Sequence, residues 1–200
     1  AGDEPEGSGK FIATVFRHPE VAEATQELLQ KRDGLILGIC NGFQALVKLG
    51  LLPFGEIRDM DSTCPTLTYN ALDRHVSRFV HTRVCSSLSP WLLKSRVGDI
   101  HTLPVSHGEG RFSASTELVK SLADRGQIAT QYVDTEGKLS LDTEINPNGS
   151  HFNIEGITSV DGRIFGKMGH SERCGPNVAK NIPGNKFQPI FEAGVAYFTE

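Results

Sequence analysis

The sequence predicts an α/β fold: a central sheet, parallel in its middle, with helices packed against it. Three observations carry this. Helical patterns alternate with short apolar strands along the 200 residues, the arrangement of βαβ units. The run Leu35-Ile36-Leu37-Gly38-Ile39 is apolar nearly throughout, as in a strand covered on both faces. With 38% hydrophobic and 22% charged residues, the chain suits one domain that buries a core without staples.

The elements follow in order. Residues 1–10, rich in Gly, Glu, Asp and Ser, read as loop. Residues 19–32 read as a helix, because Pro19 suits a first turn and Val21, Ala24, Leu28 and Leu29 recur at helical spacing. Asp33-Gly34 ends it, and residues 35–39 form the apolar strand. A second helix runs from Gly42 to Gly50, a natural C-cap with Pro53 beyond it. Residues 54–75 show no period. Residues 78–85 alternate as a strand, and Leu103-Pro104-Val105 leads into a glycine-punctuated turn over residues 106–112. Ser115 caps a helix that runs to Arg125, with Leu118, Val119 and Leu122 on one face. Residues 127–133 read as a strand and residues 146–150 as a turn cluster. Residues 157–160 and 163–168, joined by Asp161-Gly162, read as a hairpin. The tail, 175–200, has little period.

The totals exclude several classes. A formal net charge of −4 implies no basic surface for nucleic acid. No apolar run approaches a membrane span, and the acidic, glycine-rich opening is no signal peptide, so a cytoplasmic protein is expected. Cys40, Cys64, Cys85 and Cys174 form no Cys-x-x-Cys pair, and His75, His81 and His101 fit no metal template, so no metal site is expected. No phosphate-binding Gly-x-x-x-x-Gly-Lys-Ser/Thr occurs, so no cofactor is expected in this segment.

Two motifs carry chemistry. In Gly38-Ile39-Cys40-Asn41-Gly42-Phe43-Gln44 a strand ends, a tight turn presents one cysteine and a helix begins. The positive end of the helix dipole favours thiolate there, and the glycines allow a strained turn and close backbone approach. The geometry parallels a serine nucleophile elbow. The plain alternative is a small buried hydrophobe at a strand end. In Gly169-His170-Ser171-Glu172-Arg173, an extended chain would send His170 and Glu172 out on one face. A thiol needs a base and the base needs an orienting group, so Cys40, His170 and Glu172 supply three roles. A solvated surface pair is the alternative for His170 and Glu172. Cys40, His107 and His170 all follow strand ends, where ligands bind on such sheets.

These residues resemble a known family. The first motif is similar to the Gly-x-Cys-x-Gly-x-Gln nucleophile motif of class I (triad-type) glutamine amidotransferases, and His170-x-Glu172 to its second motif. Residues 106–112 and Asn146-Pro147-Asn148-Gly149-Ser150 narrow the resemblance to the glutaminase domains of phosphoribosylformylglycinamidine synthases, over nearly all 200 residues. Residues 2–11 resemble the long single-chain bacterial form more than the separate small subunit. The family places upstream strands and a Gly-Gly-Phe-Ser loop before the position of Gly2, so the resemblance implies an N-terminally truncated domain over 1–200. The family often has Pro where this chain has Ser171.

The resemblance implies a flavodoxin-like, mostly parallel sheet flanked by helices, with added antiparallel strands. It implies glutamine hydrolysis by Cys40, His170 and Glu172, with the Asn41 N–H as one oxyanion donor. Gln44, one helical turn past Cys40, is implied to contact glutamine; an ordinary helix-surface glutamine is the alternative. Ser106, His107 and Gly108 are weaker pocket candidates, and His107 reads equally as a turn histidine bonded to backbone. The implied partner is a synthetase domain or subunit that uses ATP and magnesium to amidinate formylglycinamide ribonucleotide; the Glu109/Arg111 segment reads as facing it, as coupling the two sites, or plainly as a solvated ion pair. Two rival readings are a peptidase- or deglycase-type cysteine hydrolase and a non-catalytic scaffold module.

Overall fold

The computed structural model describes residues 7–199. Helices α1 (Lys10–Phe16) and α2 (Pro19–Gln30) are followed by strand β1 (Ile36–Ile39), helix α3 (Asn41–Leu49) and the short α4 (Leu51–Phe54). Strands β2 (Thr66–Tyr69), β3 (Val76–Val84), β4 (Ile100–His107) and β5 (Glu109–Ser113) come next. Helix α5 (Thr116–Asp124), strands β6 (Ile128–Val133), β7 (Ile154–Thr158) and β8 (Ile164–Lys167), and helix α6 (Ile190–Ala196) complete the order. Six strands form one mixed sheet in the order β1-β8-β7-β6-β3-β4, while β2 and β5 make a separate ribbon.

The α/β class and the added antiparallel strands are as the sequence predicts, but the parallel share is smaller. Among the described residues one pair is parallel, β1 with β8, in register from Ile36↔Ile164 to Ile39↔Lys167. The other neighbours in the sheet run antiparallel. Connection length contributes to this. A parallel return needs a crossover of a dozen or more residues, and residues 159–163 between β7 and β8 can only make a hairpin. That hairpin is pinned by the Ser159 hydroxyl, which accepts from the Ile164 N–H (3.1 Å) and donates to Asp161 (2.6 Å).

The helices with strong sequence signals form where expected. Pro19 opens α2, and the Ser115 hydroxyl accepts from the Leu118 N–H to cap α5 (3.1 Å). Gly50 closes α3 at φ 83°, a left-handed conformation that glycine adopts without a Cβ clash. Helices α1 and α6 and strand β2 have no counterpart in the sequence reading. Residues 106–112 are not a turn. β4 ends at His107, β5 begins at Glu109, and Gly108 alone separates them while the chain crosses from the large sheet to the ribbon with β2.

One packing detail sets the position of α3. Gly38 on β1 and Gly166 on β8 are register partners. A Cβ on Gly38 would stand 2.5 Å from Leu46 Cδ1, and one on Gly166 2.2 Å from Phe43 Cδ2. The paired glycines therefore let α3 settle directly onto the parallel strands. Phe43 and Leu49 are fully buried there, each contributing about 1.5–3 kcal/mol. Alternation along β8 sends Ile164 into this core and Phe165 into a second one with Val84, Leu92, Ala129 and Ile190.

Candidate active site

β1 delivers Cys40 to the N-terminus of α3. The Cys40 N–H donates to the Lys167 carbonyl (2.8 Å), which extends the parallel ladder by one residue. The backbone then turns sharply, at φ 53° and ψ −109° for Cys40. A non-glycine residue held there stores about 1–3 kcal/mol of strain and needs over-determined surroundings. The glycine-seated helix supplies them, with the Gln44 N–H bonding back to the Cys40 carbonyl (3.1 Å). The strain sits on Cys40 itself. Gly38 serves the close approach of Leu46, and nothing stands within 4 Å of a Cβ on Gly42. The thiol is 3% exposed and points at the Ser106 carbonyl, 3.7 Å away.

His170 lies just past the end of β8, the strand beside β1, where residues 170–173 make a turn instead of the extended chain expected, closed by the Arg173 N–H on the His170 carbonyl (3.2 Å). Its N–H donates to the Pro104 carbonyl (2.9 Å). Its Nδ1 bonds the Glu172 carboxylate at 2.6 Å, and Nε2 is buried with no hydrogen bond to any described residue. Burial pushes the imidazole below the ordinary histidine value. The hydrogen bond and charge of Glu172 oppose this, while Arg173 and Lys167 add to it. A neutral ring donating Nδ1–H to Glu172 carries its lone pair on Nε2, the form of a general base.

β1 and β4 are opposite edges of the sheet, yet both candidate groups hang from β4. The Pro104 and Ser106 carbonyls lie two residues apart on the same strand edge, about 6.5–7 Å along it. One holds the His170 backbone and the other faces the Cys40 thiol. The sheet thus curls until its edges meet. Cys40 and His170 stand at the C-terminal ends of adjacent parallel strands, along that seam. Pro104 brings no N–H to this edge, a position where proline costs the ladder nothing.

The other predicted residues divide. Asn41 is the first residue of α3, where backbone N–H groups have no carbonyl within the helix. Gln44 is 1% exposed and donates to the Glu109 carbonyl, so it is no surface residue. The Ser106 hydroxyl bonds His75 Nε2 (3.0 Å). His107 is fully buried, with Nδ1 on the Asn70 side-chain oxygen (3.1 Å). Asn70 also donates through Nδ2 to the His107 carbonyl (2.8 Å) and through its own N–H to the Gly108 carbonyl (3.0 Å). His107 and Gly108 therefore belong to a clamped pivot between β4 and β5. The cluster at 146–150 braces β5: Asn148 donates to the Gly110 carbonyl (2.7 Å) and the Ser150 hydroxyl accepts from the Phe112 N–H (3.0 Å).

A buried ion pair behind His170 escapes the sequence reading. Lys167 and Glu155 are both fully buried, 3.5 Å apart. The available signal is a charge inside each apolar strand, Ile164-Phe165-Gly166-Lys167 and Ile154-Glu155-Gly156-Ile157. Among the described residues no group of three or more His, Cys, Asp or Glu is placed to hold a metal, and no helix is long and apolar enough to cross a membrane.

A family model described as a CobB/CobQ-like glutamine amidotransferase domain matches residues 1–198. Phosphoribosylformylglycinamidine synthase subunit PurQ from Synechocystis sp. is 40% identical over 149 residues, covering 74% of this chain and 61% of that one. Its namesake from Aquifex aeolicus is 35% identical over 172 residues, 86% of this chain and 69% of that one. The Gloeobacter violaceus subunit is 34% identical over 186 residues, covering 91% and 71%. A solved structure described as PurLQS from Thermotoga maritima matches with a TM-score of 0.66 at 25% identity, over 93% of this chain and 71% of that chain. The chain spans 61% of the length of the Synechocystis relative. These relatives are named as a subunit and not as the long single-chain form that residues 2–11 resemble; residues 2–6 of that stretch lie outside the described residues.

Proposed function

Because the chain belongs to the CobB/CobQ-like glutamine amidotransferase domain family, we propose that residues 1–200 form a glutaminase domain. It hydrolyses the side-chain amide of glutamine and delivers the ammonia to an ATP-dependent synthetase that makes formylglycinamidine ribonucleotide in purine biosynthesis. The observation that carries this is the seam, where Cys40 and the His170–Glu172 pair hang from neighbouring carbonyls of β4.

His170 Nε2 takes the thiol proton, and the Cys40 sulfur attacks the amide carbon of glutamine. The developing oxyanion is met by the Asn41 N–H at the start of α3. His170 returns the proton to the nitrogen as the carbon–nitrogen bond breaks, which leaves a thioester and ammonia. Water, deprotonated by His170, then releases glutamate and restores the thiol. Glu172 holds the ring and stabilises its cation in both halves. Gln44, Ser106, His107 and Gly108 shape the glutamine pocket, the last two by holding the β4–β5 pivot. ATP and magnesium belong to the synthetase, which the subunit names of the relatives support as a separate chain. We assign the protein to the cytoplasm, in keeping with four cysteines outside any disulfide.

The test is glutamate and ammonia release by the chain together with its synthetase. Cys40→Ala is expected to abolish glutamine use and to leave synthesis from added ammonium. Full-rate hydrolysis by Cys40→Ala overturns the nucleophile, and cleavage of peptides without release of glutamate selects the peptidase reading instead.

A further inference from the structure

The backbone on both sides of His170 is held by one buried polar chain. Gly169 donates its N–H to Glu155 Oε1 (2.6 Å) and offers its carbonyl to Lys167 Nζ (3.0 Å). Lys167 Nζ also donates to the Ser171 hydroxyl (2.9 Å) and forms an ion pair with Glu155 Oε1 at 3.5 Å. The second Glu155 oxygen accepts from the Thr130 hydroxyl. Ser171, 1% exposed, donates its hydroxyl hydrogen bond to Gln188 Oε1 (2.6 Å), two residues before α6. A Cβ on Gly169 would stand 3.0 Å from Glu155 Oε1 and 3.2 Å from Lys167 Nζ, so this approach suits glycine.

We propose that the chain Glu155–Lys167–Ser171–Gln188 positions the His170 imidazole, with Ser171 as the link that ties the His170–Glu172 turn to the segment entering α6. This rests on the glutaminase reading for the ring's role, though not for its geometry. A proline at position 171 would stiffen the turn through its ring. Here a serine does so through a hydroxyl that both accepts and donates, and both partners are buried. The hydrogen bonds of these four side chains hold residues 169–171, and through them the ring. The ion pair is the anchor, since Glu155 sits on β7 and Lys167 on β8, strands of the sheet whose β1 carries Cys40. The charged groups acting on the ring are Glu172, Arg173 and Lys167, so a moved turn changes all three distances at once.

The experiment compares wild type, Ser171→Ala and Gln188→Ala, each with the synthetase, in steady-state glutaminase kinetics. It also records the ring nitrogens of His170 by NMR. The expected result for Ser171→Ala is a kcat loss of about 10- to 100-fold with KM within about twofold, the signature of a misplaced reacting group. The NMR signals should move from a single Nδ1–H tautomer toward a mixture. Gln188→Ala is expected to show the same pattern at smaller amplitude, and serves if Ser171→Ala does not fold. Folded variants with unchanged kcat and unchanged ring signals overturn the proposal. A wild-type protein without glutaminase activity overturns the function, while the ring signals still decide the positioning.

Discussion

His107 and His170 make an informative pair. Both stand at or just past a strand end, both are buried, and both bond a side-chain oxygen through Nδ1. The partners differ. His107 faces the amide of Asn70, whose nitrogen also ties down the carbonyls of Arg74 and His107. His170 faces the carboxylate of Glu172, which is 41% exposed and keeps part of its charge in water. A carboxylate stabilises an imidazolium beside it, whereas an amide oxygen only orients a neutral ring. Strand-end placement and burial do not separate the two histidines; the neighbour across Nδ1 does, and it suits His170 to the role of base proposed for it.

The largest expected effect sharpens this contrast. His170→Ala should lower kcat/KM for glutamine by about 10²–10⁴-fold, while His107→Ala should keep activity within about tenfold once folding is confirmed. Comparable losses in both would erase the distinction. Next, Glu172→Gln gives His170 an amide partner like that of His107, and a loss of about 10²-fold in kcat at pH 7 is expected. The reverse exchange, Asn70→Asp, removes the donor to two carbonyls and should cost about 1–3 kcal/mol in denaturant unfolding without raising activity.

The smallest effect is in pH dependence. His170 and His101 both bind protons less readily folded than unfolded, each because of burial first. The unfolded chain then takes up more protons as pH falls below about 7, so stability is full above the ordinary histidine value near 6.5 and declines below it. His101→Gln should flatten that decline in urea titrations between pH 7 and 5. The acid limb of kcat/KM should lie below pH 6.5 in wild type and lower still in Glu172→Gln, which lacks the charge that raises the His170 value.

The contrast also marks what local sequence carries. Cys40 and His170-x-Glu172 stand out as candidates because a strand-to-helix turn and a close His–Glu spacing are local features, although the pair meets across a turn and not along an extended chain. Helices α2, α3 and α5 were legible through Pro19, Gly50 and Ser115. Strand β2 exists because β5 pairs with it, and no property of its four residues announces a partner so far along the chain. Helices α1 and α6 are seven residues each, too short for a period to stand out. The balance of parallel and antiparallel pairs depends on which strands meet, which apolar alternation does not encode. For His107, the deciding neighbour lies 37 residues away, so the motif around it could not separate a scaffold histidine from a ligand-binding one.

Edge strand β4 adds a last consequence. An open sheet edge is a template on which another molecule can add a strand, the usual start of aggregation. On β4 several outward groups are occupied: the Thr102 N–H donates to the Asn185 carbonyl (2.6 Å), Pro104 has no proton to offer, and the Pro104 and Ser106 carbonyls face His170 and Cys40. The segments that cross this edge, the turn after β8 among them, thus also shield it from self-templating. Loosening residues 169–173 should uncover a sticky margin as well as disturb the candidate site.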